Sequence, residues 1–303
     1  MRALINDVSF RPATAADSRA CFELMRAAVH DLMQRTGAVA PGTAAPDLEA
    51  HWARAEGLYG HLAGACQQWW LAEDPGGRPV GYARSIERDA TVELTEFFVA
   101  TGARGGGVGR ALLERAFAPG WGAHRVVIAT TETSANALYL RFGVDHQTTG
   151  ADLVGTPRAV ALPAGYDSAP ATPEDVLAIE AELLGHARPP EVAFMLADRP
   201  ATILRRAGRA VGYIFAPNPH GRCGPVAALD PADLPAALAQ LENAAHAAGV
   251  ERLGLTVPFA ASGAVTWLLR RGFRIEPTYT FFLADGPWAK LDRYLPFNPC
   301  FFL

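Results

Sequence analysis

Apolar and polar residues follow two different periods in the first half of the chain. Residues 91–99 alternate between two sides and are rich in β-branched and aromatic types, which predicts a strand. Residues 108–117 carry their apolar side chains at helical spacing, which predicts a helix. A glycine-rich turn at 104–109 lies between them. The sequence therefore predicts a strand, a tight turn and a helix in direct succession.

The same periods predict the neighbouring elements. A short strand ends at Pro12, a helix starts at the cap residue Thr14 and stops at Gly37, and a second helix starts after Asp47. Further strands are predicted at 68–73, 79–86 and 124–130, and a further helix at 134–142. Because a helix separates strand 91–99 from the strand that follows it, these two strands are expected to be parallel.

The second half of the chain repeats the first at a nearly constant offset. Val211-Gly-Tyr213 repeats Val80-Gly-Tyr82, and the helix start at Thr172 repeats the one at Thr14. An internal duplication of the whole fold is therefore expected.

We expect the boundary between the two copies near Pro163. Residues 146–165 hold several Thr, Gly and Pro residues and only one weak strand, at 158–162. The predicted domains are 1–162 and 163–303, each of ordinary size. The expected fold class is α/β, with two tandem domains that each contain a mixed, mostly antiparallel sheet flanked by helices.

The glycine-rich turn suits an anion. The first N–H groups of a helix lack internal partners, and the helix dipole adds partial positive charge there. Glycines leave the backbone open to a phosphate, and arginines add charge. The residues concerned are Arg104, Gly105, Gly106, Gly107, Gly109 and Arg110. No Lys follows, so a nucleoside triphosphate site of the P-loop kind is not expected.

This Arg-x-x-Gly-x-Gly stretch resembles the pyrophosphate loop of the GCN5-related N-acetyltransferases (GNAT superfamily), which bind acetyl-coenzyme A. The apolar strand before the loop, and the strand and Tyr-bearing helix after it, match the arrangement of that family. The resemblance implies that the pantetheine arm lies between two splayed parallel strands. It also implies acetyl-coenzyme A as cosubstrate, without a metal, bound by Phe97, Phe98, Val99, Arg104, Gly105, Gly106, Gly107, Val108, Gly109 and Arg110.

The resemblance further implies an acid. The Tyr of the family's Tyr-x-x-x-Gly-Phe helix end corresponds to Tyr139, with Gly143 retained and Val144 replacing the Phe. Tyr139 would protonate the departing thiolate, whose pKa is roughly 8–9. A core tyrosine is the alternative. The Asn that the family commonly has seven places earlier is Glu132 here, which leaves that contact open.

A base is also needed, because an amine with a pKa of about 10 arrives protonated. Glu93 and Glu96 lie near the carboxyl end of strand 91–99, and their odd spacing is expected to put them on opposite faces. Glu96 is favoured, since many members of the family carry their base carboxylate at that place. A carboxylate that is solvated or paired with Arg is the alternative role.

The predicted second helix is expected to overhang the amine pocket, as the corresponding helix does in the family. Residues that would line the pocket are His51, Trp52, Glu56 and Tyr59. The alternative is that they are ordinary surface and core positions of an amphipathic helix, which we favour for each of them individually.

The second copy lacks the chemistry of the first. Asp230 and Asp233 stand where an anion would bind, and Leu268 stands where Tyr139 does. We therefore expect a degenerate domain that is structural or shapes the substrate site. The aromatic C-terminal end is too apolar to be solvated and is expected to pack between the domains or across a dimer.

Composition narrows the class of partner. The formal net charge of -4 shows no basic surplus, which argues against nucleic acid. No apolar run is long enough for a membrane span, and the first residues do not resemble a signal peptide. The four cysteines lie far apart and are expected to be reduced thiols. A cytoplasmic monomer or homodimer is therefore expected.

These observations together predict an N-acetyltransferase. It would transfer an acetyl or other acyl group from its coenzyme A thioester to a small primary amine, by direct attack in a ternary complex. Two alternatives stay open: a non-catalytic protein that binds coenzyme A or a partner, and an acyltransferase whose donor is aminoacyl-tRNA. The sequence does not identify the acceptor amine.

Overall fold

The structure is a computed structural model, and it describes residues 7–218, 221–297 and 302. These residues form two compact units. Unit 1 holds the described residues up to Ile128, together with Glu132–Asp145 and Phe302. Unit 2 holds Ala129–Thr131 and the described residues from His146 to Phe297.

Unit 1 alternates strands and helices around one sheet. Its elements are β1 (Ser9–Pro12), α1 (Ser18–Arg35), α2 (Leu48–Ala65), β2 (Gln68–Glu73), β3 (Pro79–Arg88), β4 (Thr91–Val99), α3 (Val108–Ala116), β5 (His124–Ala129) and α4 (Thr133–Arg141). The strands lie in the order β1, β2, β3, β4, β5. Neighbours are antiparallel except β4 and β5, which are parallel as predicted.

Unit 2 contains the remaining elements. They are β6 (Asp145–Gly155), β7 (Tyr166–Pro170), α5 (Pro173–Leu184), α6 (Pro189–Asp198), β8 (Ala201–Arg206), β9 (Arg209–Phe215), β10 (Val226–Ala228), α7 (Leu234–Ala247), β11 (Leu253–Pro258), α8 (Ser262–Arg270), β12 (Arg274–Ala284) and β13 (Tyr294–Leu295). One sheet has the order β13, β10, β9, β8, β7, and β6 lies between β12 and β11.

The order of elements confirms the predicted duplication. The series strand, two helices, three strands, helix, strand, helix, strand runs from β1 to β6 and again from β7 to β12. The expected fold class, two tandem α/β domains with mixed and mostly antiparallel sheets, is therefore found. The second series begins at Tyr166, whereas β6 groups with unit 2 by its contacts. A boundary after residue 162 stays a prediction.

Helices of unit 1 begin where the sequence predicts. The Asp17 carboxylate accepts the backbone N–H of Thr14 at 2.8 Å in a capping box, and a 3-10 turn leads from there into α1. The Asp47 carboxylate accepts the N–H groups of Glu49 and Ala50, at 3.0 and 3.1 Å, at the start of α2. Side-chain acceptors thus satisfy the first-turn donors of both segments.

The two faces of the unit 1 sheet are covered by different helices. Cys21 and Phe22 of α1 and Tyr59 of α2 pack on one face, in a buried cluster with Tyr82 of β3. On the opposite face the hydroxyl of Ser85 donates to a backbone carbonyl of α3 at 2.6 Å. Adjacent side chains of a strand point to opposite faces, so β3 separates the two layers.

The predicted strand at 158–162 is wrong, and β6 was missed. The backbone N–H groups of Arg158 and Val160 are bonded by side chains of α7, Glu242 at 2.8 Å and Asn243 at 2.9 Å. Side-chain partners replace a strand ladder there. The observed strand is β6, which begins with exposed residues and therefore has a weak apolar pattern. It is a strand because its backbone pairs with β11.

Among the apolar C-terminal residues, Phe302 is buried in unit 1. It packs against Leu62 of α2 and Ile86 of β3, and none of the three is exposed. The contacts found for this residue therefore lie in the core of unit 1. Of the other terminal aromatic residues, Tyr294 is buried in β13, the guanidinium carbon of Arg199 lies 3.9 Å from the ring centroid of Phe297, and Phe301 lies outside the described residues.

Candidate active site

The amino end of α3 is open to an anion. Its cap residue Gly107 has φ +91° and no side chain that could accept a hydrogen bond from the first turn. Gly105, in the turn before it, also has positive φ, +74°. Such angles favour glycine, and a glycine cap leaves the first N–H groups of the helix without a side-chain acceptor from that residue. Anion binding at this turn stays a prediction.

Another glycine of the turn, Gly109, allows close packing inside unit 1. Neither Gly106 nor Gly109 has positive φ. A Cβ on Gly109 would lie 3.1 Å from Cζ of Phe97 and 3.4 Å from Cδ1 of Leu138. Gly109 thus lets α3 approach β4 and α4 closely, and substitution by a larger residue would force these side chains apart.

Arg104 faces acidic side chains of the protein. Its Nε donates to the carbonyl of Val99 at 3.1 Å, and its NH1 donates to Asp31 at 3.0 Å and lies 3.5 Å from Glu132. The turn is therefore tied to α1, to the end of β4 and to the start of α4. Arg110, by contrast, is exposed, and its Nε donates to Glu114 at 2.8 Å.

Glu132, which replaces the family's Asn, has a structural role. Its carboxylate caps α4, accepting from the backbone N–H and the hydroxyl of Ser134 at 3.4 and 2.9 Å. It also pairs with Arg35 at 2.5 Å. Burial acts to raise the pKa of Glu132, but hydrogen bonds from Arg35 and Ser134 outweigh it and lower the pKa. The substitution thus extends the ion-pair network around Arg104.

Strands β4 and β5 separate before β4 ends. Their parallel pairing runs from Thr91, opposite His124, to Leu94, opposite Val127. Strand β4 stays paired with β3 as far as Val99. The segment 97–99 therefore continues beyond its pairing with β5, which matches the splay that the resemblance implied.

A bulge in β4 corrects the predicted placement of the two glutamates. Glu96 lies opposite Arg84 and Glu93 opposite Ile86, with a register shift between them. Arg84 and Ile86 are two residues apart and share a face, and directly opposite residues share a face as well. Glu93 and Glu96 therefore lie on the same face, because Thr95 is inserted between the paired positions.

Glu96 is enclosed by three partners. Its Oε1 accepts from the hydroxyls of Tyr59 at 2.7 Å and Tyr82 at 2.9 Å. Its Oε2 lies 3.4 Å from Nε of Arg84, and both side chains of this pair are fully buried. Burial, followed by the charge of Glu96, raises the pKa of Tyr82 well above its ordinary value. The carboxylate is thus part of a dehydrated cluster and not a solvated group.

Tyr139 lies on the other side of β4. Its ring contacts Phe97 edge to face, with centroids 5.9 Å apart, and Phe97 follows Glu96 directly. Burial raises the pKa of Tyr139, and the charge of Glu132 adds to the shift. No hydrogen bond to its hydroxyl is found in the described part of the chain. The two candidate catalytic side chains therefore flank the splayed part of β4 from opposite faces.

Of the four residues proposed for the amine pocket, one reaches the candidate base. Tyr59 bonds Glu96, while the Trp52 ring stacks against Phe22 and Tyr59 with centroids 5.2 and 5.8 Å apart. His51 is half-buried and Glu56 is exposed. Trp52 thus has the core role that was the alternative.

Sequence reasoning missed Arg84, Tyr82 and Trp69, which complete the surroundings of Glu96. The guanidinium carbon of Arg84 lies 3.9 Å from the ring centroid of Trp69. One signal was available: Tyr82 belongs to the Val-Gly-Tyr stretch that recurs at Tyr213. The register that brings Arg84 opposite Glu96 depends on the bulge in β4, and no sequence motif indicates that bulge.

The corresponding helix start in unit 2 carries two carboxylates, one that caps the 3-10 turn before α7 and one on the cap residue of α7 itself. Asp230 accepts the N–H of Ala232 at 2.9 Å. Asp233, which is buried, accepts from the hydroxyl of Tyr166 at 2.5 Å and pairs with Arg206 at 2.8 Å. A carboxylate thus occupies this end of α7, which is unsuited to a second anion, as the sequence predicted.

Comparison with known families finds a match inside the first half of the chain. Residues 65–144 match the model of the acetyltransferase (GNAT) domain. This stretch, which includes β2 to α4, is therefore similar to a GNAT domain. Among curated proteins, none matches the sequence.

Solved structures share the fold over almost the whole chain. A proposed acetyltransferase from Pyrococcus horikoshii is 17% identical, with TM-score 0.71, covering 99% of this chain and 97% of its own. A GCN5-related N-acetyltransferase from Sphaerobacter thermophilus is 19% identical, with TM-score 0.65, covering 96% and 100%. A tandem GNAT protein from the clavulanic acid biosynthesis pathway is 18% identical, with TM-score 0.58, covering 92% and 99%. These likenesses concern the tandem fold.

The described residues contain neither a metal-binding cluster nor a membrane-spanning helix. Within 7–218, 221–297 and 302, no cluster of three or more His, Cys, Asp or Glu residues is arranged to hold a metal ion. The helices of that same part of the chain include none that is long and apolar enough to cross a membrane.

Proposed function

We propose that unit 1 transfers an acetyl group from acetyl-coenzyme A to a primary amine by direct attack in a ternary complex. The observation that carries the proposal is the open amino end of α3, where Gly105 and Gly107 have positive φ and no side chain caps the helix. A pyrophosphate fits this end, since backbone N–H groups and the helix dipole both favour an anion there. The pantetheine arm would then follow residues 97–99 past the end of the β5 pairing.

The chemistry needs a proton removed from the amine and a proton or hydrogen bond supplied to the thiolate. The neutral amine attacks the thioester carbonyl, a C–N bond forms, and collapse of the tetrahedral oxyanion breaks the C–S bond. Glu96 can take the amine proton only through Oε2, because Oε1 already accepts two tyrosine hydroxyls. The proposal therefore requires the amine to approach on the Arg84 side of Glu96.

Tyr139 stabilises the leaving thiolate in this scheme. Its raised pKa keeps it protonated throughout the neutral range, so it always has a hydrogen to offer. The same raised pKa makes complete transfer to a thiolate unfavourable, since the thiol is the stronger acid. We therefore assign Tyr139 a hydrogen bond to the thiolate, with the final proton coming from solvent.

The test combines a binding titration with a thiol-release assay over a library of primary amines. We expect acetyl-coenzyme A to bind and at least one amine to release coenzyme A. Tyr139→Phe should lower kcat by about 100-fold with little change in the Kd of acetyl-coenzyme A. Tyr166→Phe is the matched control, since that tyrosine bonds Asp233 in unit 2, and it should leave kcat unchanged.

The two alternatives give different results in the same assays. Binding of acetyl-coenzyme A without thiol release for any amine would favour a non-catalytic coenzyme-binding protein. Product formation from aminoacyl-tRNA, with no response to acetyl-coenzyme A, would favour an acyltransferase whose donor is aminoacyl-tRNA. The absence of any binding of acetyl-coenzyme A would refute the proposal.

A further inference from the structure

The guanidinium of Arg84 is enclosed in unit 1 without a hydrogen bond. Its side chain is 0% exposed, and none of its three guanidinium nitrogens has a hydrogen-bond partner in the described part of the chain. Oε2 of Glu96, 3.4 Å from Nε, likewise has no donor there. Buried polar groups without partners are costly and rare in native proteins. The pair is therefore incomplete as it stands.

The surroundings restrict what can complete it. Trp69 covers one face of the guanidinium at 3.9 Å, and the Tyr59 ring centroid lies 5.4 Å from its central carbon. Oε1 of Glu96 is already satisfied by two tyrosine hydroxyls. The groups left to bind a ligand are the N–H donors of the Arg84 guanidinium and, beside them, Oε2 of Glu96, which lacks a donor.

Unit 2 shows how the same kind of cluster looks when the protein completes it. Arg188 donates through Nε and NH2 to Glu180 at 2.9 and 2.5 Å, and through NH2 to the hydroxyl of Tyr294 at 2.6 Å. Tyr213, the repeat of Tyr82, donates to Glu180 at 2.6 Å. None of the side-chain polar atoms of these residues is left buried without a partner. Glu180 lies in α5 and Arg188 just before α6, so this cluster uses other positions of the fold than Arg84 in β3 and Glu96 in β4. It shows that the protein can satisfy a buried guanidinium with its own side chains, which it does not do for Arg84 in the described residues.

We propose that Arg84 and Glu96 bind the carboxylate and the amino group of one acceptor, which is therefore of the α-amino acid class. A planar guanidinium matches a carboxylate with two parallel hydrogen bonds. Oε2 of Glu96 accepts from an ammonium group, and in an α-amino acid a single carbon separates the two charged groups. A phosphate is disfavoured, because the Glu96 carboxylate lies within 3.4 Å of Nε and would repel a dianion.

This inference rests on the proposed function, and its proton balance follows from it. Glu96 takes one proton from the ammonium group, and the free amine attacks the thioester carbonyl. The C–N bond forms, the C–S bond breaks, and coenzyme A leaves as a thiolate that takes up a proton. The nitrogen loses its second proton as the amide forms. The products are an N-acetyl amino acid, the thiol and one released proton, and the neutral amide no longer attracts Glu96.

Access to the cluster requires a movement. Because Arg84 and Glu96 are fully enclosed, a ligand reaches them only if the ring of Tyr59 or of Trp69 is displaced. Tyr59 is carried by α2, so that helix is the element expected to shift. Addition of an accepted amino acid should therefore change amide hydrogen exchange in residues 48–65.

The experiment measures thiol release from acetyl-coenzyme A with each of the twenty standard amino acids, and with the decarboxylated amines of alanine, valine, leucine and phenylalanine. We expect kcat/KM for an accepted amino acid to exceed that of its decarboxylated amine by at least about 100-fold. Arg84→Met should reduce this ratio to a few-fold, mainly through KM, and leave the Kd of acetyl-coenzyme A unchanged. Arg84→Lys should restore part of the ratio.

Arg188→Met is the control, because it removes a buried, ion-paired guanidinium from unit 2. It should lower the melting temperature without changing the ratio. Equal reaction of amino acids and decarboxylated amines by the unaltered protein would overturn the inference, even if Arg84→Met does not fold. So would a crystal structure with an accepted acceptor in which Arg84 is bound only by water. If no amine at all releases thiol, the proposed function fails first.

Discussion

The two units share an order of elements but differ in how they treat a helix start and a buried arginine. In unit 1 the cap residue of α3 is Gly107, which has no side chain, whereas Asp230 and Asp233 lie at the corresponding helix start in unit 2. In unit 1 the buried Arg84 makes no hydrogen bond, whereas Arg188 in unit 2 is fully bonded. Unit 2 thus bonds the buried guanidinium of Arg188 with its own side chains, whereas the guanidinium of Arg84 has no hydrogen bond in the described residues of unit 1.

The comparison teaches how a duplicated fold can lose chemistry while it retains its architecture. A carboxylate at a helix start and a complete salt bridge are stable without a ligand. An open helix start and an unbonded guanidinium are costly unless something binds to them. A site is therefore recognised by what the protein leaves unsatisfied, and the second copy serves as the internal reference.

The largest effect is expected from breaking the complete cluster of unit 2. Arg188→Met leaves Glu180 buried without its partner, and removing one member of such a pair costs about 3–5 kcal/mol of stability. Arg84→Met should cost less, because the ion pair of Arg84 with Glu96 spans 3.4 Å and its guanidinium makes no hydrogen bond within the described residues. Calorimetric melting of both variants checks the order, and an equal or larger loss for Arg84→Met would contradict the comparison.

A similar effect is expected at the end of the chain. Phe302→Ala should open a cavity beside Leu62 and Ile86 and cost about 3–5 kcal/mol in the melting of unit 1. Leu140→Ala is the control, since Leu140 is 53% exposed and its loss should change stability by less than about 0.5 kcal/mol. Urea unfolding measures both variants. If Phe302→Ala is as mild as the control, Phe302 does not belong to this core.

An aspartate placed at the start of α3, like those at the start of α7, tests whether this helix start binds acetyl-coenzyme A. Gly107→Asp places an acid at the cap of α3, where φ +91° also strains any side chain, and should weaken acetyl-coenzyme A binding by at least about 100-fold. Gly77→Asp is the matched control. Gly77 also has positive φ, +76°, but it lies in the turn between β2 and β3, where an added Cβ would meet nothing within 4 Å. Titration calorimetry measures the Kd of acetyl-coenzyme A for both variants. Undiminished affinity in Gly107→Asp would place the coenzyme elsewhere.

The smallest effect concerns the capping box before α1. Hydrogen bonds from Arg11 lower the pKa of Asp17 from 3.8 to about 2, against the effect of burial. The stability from this group is therefore full above pH 3.8 and is lost as the pH falls toward 2. The difference in melting temperature between the protein and Asp17→Asn should shrink over that range. Glu114→Gln, at an exposed pair, should show little difference at any pH.

Several parts of this picture could be predicted from the sequence, because they depend on local rules. Strands 68–73 and 91–99 have the predicted bounds, and Thr14 and Asp47 begin their segments as cap residues should. The recurrence of Val-Gly-Tyr announced the duplication. Periodicity, caps and glycines act over a few residues, so they can be recognised without knowledge of the contacts.

The shared face of Glu93 and Glu96 could not be predicted, since one inserted residue in β4 reverses the alternation on which the prediction relied. The role of Glu132 was hidden for a related reason: its partner Arg35 lies on another helix, far away in sequence. Strand β6 was missed because its pairing with β11 and not its own pattern makes it a strand.

The sequence alone determined the order of elements, the duplication and the loop that suits a pyrophosphate. These follow from properties of adjacent residues: backbone freedom at glycine, side-chain period and capping. Only the tertiary structure decided which charged groups are buried together, which of them are bonded and which are not. Burial and register depend on segments that are distant in the chain, and the contrast between Arg84 and Arg188 exists only once those segments are in contact.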